Sequence, residues 1–228
     1  MWQAEPNLEL LGDQTGDKLT ITSFTVKHTS TLKLHHNFVA ALLNDLFGVQ
    51  ARGGCSCAGP YGHYLLHVDE KTSQGFAKLV LQGYEGMKPG WCRVNLPYFW
   101  DDATADYVIA AVAMVAREGW RFLPDYTFDV RTGLWTHREN KAIAPTFSIQ
   151  GEFANGLEDV AGSTGAAAAP SYAVTMKHVQ AMISTRAREG ELADSGLESG
   201  EEEEGGLPTA CTAVRWFAVG VVGEMALA

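Results

Sequence analysis

Two thiols, two arginines and a few histidines are the residues of this chain with chemistry to offer. Cys55 and Cys57 stand in the run Arg52-Gly53-Gly54-Cys55-Ser56-Cys57-Ala58-Gly59, a glycine-rich turn that begins on a guanidinium. A positive charge beside a thiol favours the thiolate, the form that nucleophilic and redox chemistry needs. The same turn also reads as a tight bend built from small residues, with the cysteines inert. Arg93 is the second arginine, in Trp91-Cys92-Arg93-Val94-Asn95-Leu96. Strand alternation puts Cys92, Val94 and Leu96 on one face and turns Arg93, with Trp91 and Asn95, to the other. A guanidinium fork presented this way suits a carboxylate, belonging either to a ligand or to an acid of the fold. His35, His36, His63 and His67 with the cysteines show neither a CxxC pair nor HExxH-like spacing, so no metal site is expected. His63 reads as a loop residue or hydrogen-bonding partner.

The elements that must position these groups follow from hydrophobic periodicity. Leu19 to Val26 is β-branched and aromatic, with its apolar phase changing near Ser23, which predicts a strand with a bulge or a change of buried face. Phe38, Val39, Leu42, Leu43 and Leu46 form one helical stripe, with Asn37 as the expected N-cap and Gly48 as the stop. Val49 to Arg52 is a short strand candidate leading into the cysteine turn, and a helix is expected over Lys71 to Leu81. Tyr107, Val108, Ala111, Val112 and Val115 repeat the helical stripe, with Asp101, Asp102 or Thr104 as caps and Gly119 as the stop. Tyr126 to Trp135 reads as a hairpin around Arg131-Thr132-Gly133. Strands alternating with helices predict an α/β layer.

Composition bounds the class. At 228 residues and 46% hydrophobic, the chain has enough apolar material for one compact core. The net charge of −10 is local: Glu189, Glu191, Asp194, Glu198 and Glu201 to Glu204 are eight acids in one run, and without them 19 acids face 17 bases. That run reads as solvated and partly disordered, together with the tail around it. No basic stripe is present to hold a nucleic acid, and no apolar stretch is long enough for a membrane. The N-terminus lacks a secretory pattern and the cysteine spacing suits no disulfide framework, so a cytoplasmic protein is expected. Ala161 to Pro170 is rich in alanine, glycine and serine and reads as part of a linker over 146–170. A helix from Tyr172 to about Arg188 is expected beyond it, and Ala213 to Val222 alone regains a packed character.

The phrase from Asn44-Asp45-Leu46-Phe47-Gly48 through Arg52-Gly53-Gly54-Cys55-Ser56-Cys57-Ala58-Gly59-Pro60-Tyr61-Gly62-His63, with Lys88-Pro89-Gly90-Trp91-Cys92-Arg93-Val94-Asn95-Leu96-Pro97-Tyr98, resembles the small domain of class V aminotransferases and their cysteine desulfurase-like members. These are pyridoxal phosphate (PLP) enzymes of fold type I, and the resemblance covers about Asn7 to Arg138. It implies a small α/β domain over residues 7–140, with a short mixed or antiparallel sheet packed by helices. It implies that Arg93 binds the α-carboxylate of an amino-acid substrate, that Arg52 assists on the neighbouring loop, and that Cys57 takes the nucleophile's position. Residues 171–228 then form a helix, the acidic run and an apolar tail. In the family the Schiff-base lysine follows a histidine in the large domain, upstream of the matched region. Neither Lys27-His28 nor Lys177-His178 has that order. The resemblance therefore implies a transferase site completed by a large-domain partner or within a homodimer. Two other readings remain open: a noncatalytic interaction module that keeps the small-domain fold, and a thiol redox protein using Cys55 and Cys57.

Overall fold

A computed structural model describes residues 2–55, 59–139, 171–194 and 216–217. The expected linker over 146–170, the acidic run beyond Asp194, most of the tail and Cys57 lie outside the described residues. Among the described residues the chain is a mixed α/β fold with a small antiparallel sheet and five α-helices. The strands are β1 (Leu8–Leu10), β2 (Ile21–Lys27), β3 (Lys33–Leu34), β4 (Arg52–Gly54) and β5 (Trp91–Asn95), with a separate hairpin of β6 (Tyr126–Asp129) and β7 (Leu134–His137). The helices are α1 (His36–Phe47), α2 (Gly59–Leu66), α3 (Glu70–Leu81), α4 (Asp102–Glu118) and α5 (Tyr172–Asp194).

The main sheet runs β1-β2-β5-β4, and β3 lies beyond the end of β5, because Val26 pairs with Leu8 on one edge and with Leu34 on the other. Period-2 alternation gives this sheet two unlike faces. Phe24, Val26, Cys92 and Val94 are buried on one face with Phe38, Val39, Leu42 and Leu43 of α1 and Val108, Ala111, Val112 and Val115 of α4. Burying each such large aliphatic or aromatic side chain contributes about 1.5–3 kcal/mol. No bulge accounts for the phase change near Ser23: the register of β2 continues unbroken from Ile21↔Asn95 to Phe24↔Cys92. Ile21 lies instead on the opposite face and is partly exposed, so the odd and even apolar positions serve different faces.

α1 starts two residues earlier than expected, because the imidazole of His35 accepts from the Asn37 backbone N–H and is the N-cap. Asn37, expected as the cap, donates its side-chain amide to the Gly133 carbonyl at 2.8 Å. Gly48 ends the helix in the left-handed conformation, as its position predicts. The short strand is β4, two to three residues later than the Val49 to Arg52 candidate. Asp69 and Asp101 cap α3 and α4 by accepting from the backbone N–H groups of Thr72 and Thr104. α5 packs back on this body through buried Val179, a stack of Tyr172 on Tyr107 at 4.3 Å between ring centroids, and an ion pair from Arg186 to Asp125. No helix among the described residues is long and apolar enough to cross a membrane.

β4 and β5 are held close by a missing side chain. A Cβ at Gly90 would lie 2.7 Å from the Gly54 carbonyl carbon and 2.8 Å from Cε1 of His36. Gly90→Ala is therefore expected to destabilise the fold by about 1–3 kcal/mol in urea unfolding. Gly59→Ala, where a Cβ meets nothing within 4 Å, is expected to be close to neutral in the same measurement.

Candidate functional site

The open face of the sheet carries the two arginines side by side. β4 and β5 pair with Arg52 directly opposite Arg93, and β2 places Ser23 opposite Arg93 on the other edge. Directly opposed residues of antiparallel strands point to the same face, so Arg52, Arg93 and Ser23 form one row across three strands. Arg52 is exposed and Arg93 is half-buried. Arg93 is turned from the aliphatic face, as alternation predicts, because Cys92 and Val94 on either side of it are in the core.

Neither guanidinium has an ion pair with an acid among the described residues. The carboxylate on that face, Glu9, is opposite Thr25 and already committed: it accepts from Lys33 Nζ at 2.8 Å and from the Thr25 hydroxyl at 3.0 Å. These two donors keep the Glu9 carboxyl below its ordinary range against the opposing effect of its partial burial. The row thus sets two arginines on one face of the sheet, Arg52 exposed and Arg93 half-buried, with no acid paired to either among the described residues.

The turn after β4 holds Cys55, which is free and half-buried. Cys57 lies outside the described residues. Cys92 is the free thiol of the core, and burial pushes it up to about 12, which makes it inert as a nucleophile at neutral pH. His63, expected in a loop, sits instead near the end of α2, a helix that the glycine-rich phrase conceals. Pro60 is tolerated there because it stands in the first turn, and Gly62 packs tightly on the sheet, where a Cβ would lie 3.2 Å from Cζ3 of Trp91.

His35 and His36 are on the core side, beneath the same strands. His35 Nε2 lies 2.9 Å from the Gly86 carbonyl. Its Nδ1 accepts from Asn37, so the ring is neutral with its proton on Nε2, donated to Gly86. The two imidazoles stack at 4.3 Å, and Trp216 and Phe217 close over them. Phe217 is fully buried, joined to Lys33 by a parallel bridge, while Trp216 donates from its indole to the Met87 carbonyl. Burial lowers His35 to about 4, against the Gly86 bond, and lowers His36 well below the usual histidine range, with the neighbouring His35 adding to the effect. This cluster is structural, and its composition of one His-His pair and four remote aromatics gave no periodic signal by which to find it.

A scan against protein-family models and searches of curated proteins and of solved structures find no match to this chain.

The buried imidazoles set a pH dependence. Between the usual value near 6.5 and the folded value near 4, the unfolded chain binds a proton that the folded chain excludes. The stabilisation is present in full above about pH 6.5 and is lost as pH falls toward about 4. Each such histidine steepens the loss by about 1.4 kcal/mol per pH unit. His35→Gln, whose amide reaches the position of Nε2, is expected to flatten this part of a urea-unfolding profile by about one proton's slope.

Proposed function

We propose that this chain supplies the substrate-carboxylate side of a class V aminotransferase or cysteine desulfurase-like PLP site, completed by a large-domain partner or a second copy of the fold. The observation that supports the reading is the Arg52–Arg93 pair, in register on an open sheet face with the nearby acid already spent on Lys33. Two converging forks bind the α-carboxylate of an amino acid, fix its orientation and leave the amino group to be presented elsewhere.

The described residues do not fit a complete PLP site. A lysine that forms an internal aldimine must give up its proton, which enclosure away from water promotes. Lys18, Lys27, Lys71, Lys78, Lys88 and Lys177 are exposed, and Lys33 is ion-paired with Glu9. Among the described residues no lysine suits the group that would hold the cofactor, and no step through PLP is assigned to this chain. When bound, PLP would supply the electron sink for the amino acid's α-carbon.

The noncatalytic interaction module has one observation of its own. Leu19, Tyr98 and Phe99 are 78%, 94% and 72% exposed around the end of the sheet where Thr20 and Leu96 are bonded. Large apolar groups gathered at one end of a sheet suit a protein partner. Both readings require a partner and differ in whether the open face binds a small carboxylate.

Two measurements on the purified chain test the proposal. Arginine Nε–Hε resonances are expected to shift on titration with propanoate, and Arg93→Gln is expected to weaken that binding by about five-fold or more. Added PLP followed by borohydride is expected to leave no stoichiometric lysine adduct. A trapped adduct on any lysine would overturn the incomplete-site reading, and the absence of any carboxylate response would favour the noncatalytic module.

A further inference from the structure

The open face carries a second feature, one pleat along from the arginine row. Where α2 and α3 close over the start of β5 there is a cavity of about 240 Å³, its walls formed chiefly by Leu66, Phe76, Val80 and Trp91, with Cys55 and Ala77 at its border. Gly54 is directly opposite Trp91, just as Arg52 is opposite Arg93. Trp91 and Arg93 are two residues apart on one strand, so both point to this face and their backbone positions are about 7 Å apart. Gly62 is part of the cavity wall, where α2 packs against the Trp91 ring and a Cβ would lie 3.2 Å from its Cζ3.

Each half of this arrangement selects for one property. The paired guanidinium groups select for an anion, with Glu9 unavailable to them. The cavity walls are mostly apolar: His63 and Ser73 are the other polar side chains of the lining, and Lys88 at the rim is ion-paired with Glu85. A space of about 150 Å³ is enough to hold benzene, so this one accommodates a phenyl group or a branched aliphatic chain. A ligand that satisfies both halves has a carboxylate head and an apolar body separated by a short linker.

We infer that the α2–α3 cavity is the side-chain pocket of the carboxylate site, and that the substrate class is a carboxylate, such as an amino acid, with an apolar, phenyl-sized side chain. This rests on the reading of Arg93 and Arg52 as carboxylate ligands and deepens it. Gly62 and Ala77 then set specificity by leaving space, Phe76, Val80 and Trp91 by lining it.

The test uses the full chain and three probes: propanoate, 3-phenylpropanoate and 3-phenylpropan-1-ol, followed by chemical-shift titration at the arginine Nε–Hε and Trp91 indole resonances. Burial of the phenyl group is expected to make 3-phenylpropanoate bind about tenfold or more tightly than propanoate, moving both sets of resonances. Ala77→Trp fills the cavity from an exposed position that the core does not need, and Val80→Phe fills it from one turn further along the same face of α3. Both variants are expected to abolish the phenyl advantage while propanoate affinity stays within about two-fold. Arg93→Gln is expected to do the reverse, removing the advantage of 3-phenylpropanoate over the alcohol. Equal affinity for propanoate and 3-phenylpropanoate, or a phenyl advantage that survives both filling variants, overturns the pocket and leaves the arginine site standing. Failure of either carboxylate to move the arginine resonances overturns the arginine site and the pocket with it.

Discussion

The first turn of α1 lies against bare backbone, and the rest of the architecture follows from that contact. His36 and Asn37 occupy the space that side chains at Gly53 and Gly90 would need: a Cβ at Gly53 would be 2.5 Å from Asn37 Oδ1 and 3.0 Å from the His36 ring. A helix this close leaves the core face of β4 with no room for side chains at all. Arg52 is therefore directed to the other face, where the pairing of β4 with β5 sets it opposite Arg93. The glycines of the cysteine turn serve this approach as much as they serve the bend.

The approach has to be held from below, and a cluster of aromatic and imidazole rings does so. His35 links three parts of the chain at once: it caps α1 through Nδ1, holds the Gly86 carbonyl through Nε2, and packs edge-on to Phe217 at 4.7 Å. Gly86 in turn is packed under the β6–β7 hairpin, where a Cβ would meet Phe128 at 2.7 Å. A neutral His35 suits this position because it keeps one acceptor for Asn37 and one donor for Gly86, and a charge would have to be desolvated. Trp216 and Phe217, more than a hundred residues away in sequence, complete the cover and extend the β3 edge. The core face of the site strands thus depends on residues from both ends of the chain.

Much of the frame was legible in the residues, and the failures have identifiable physical causes. The stripes of Phe38 to Leu46 and Tyr107 to Val115 gave α1 and α4, and alternation around Arg93 gave β5 with its charged side outward, because each pattern reports one buried face directly. α2 was concealed because Gly59, Pro60 and Gly62 read as a turn; Gly62 packs closely on the Trp91 ring, a tertiary contact that local propensity does not report. β1 and β3 are too short to establish a period. His35 displaced Asn37 as cap because a buried imidazole with its proton fixed on Nε2 offers a better-placed acceptor. The pairing of Arg52 with Arg93 joins positions far apart in sequence, and register of that kind is set by the fold rather than by local pattern.

The energetics of that pairing bear on what the face is for. Like charges directly opposite one another across a ladder are destabilising, by about 1 kcal/mol at close range when water screens them. Sheets ordinarily relieve such a position with an acid on the neighbouring strand. Here the neighbour of Arg93 on β2 is Ser23, and the acid one pleat away, Glu9, is neutralised by Lys33 and bonded to Thr25. The repulsion is therefore left in place within the described fold, and a carboxylate bound as proposed would replace it with charge-assisted hydrogen bonds. A face that is electrostatically unfavourable when empty gains more from an anion than an already balanced one does. The cost is borne by β4, a three-residue edge strand held by β5 on one side and by the close approach of α1 from beneath.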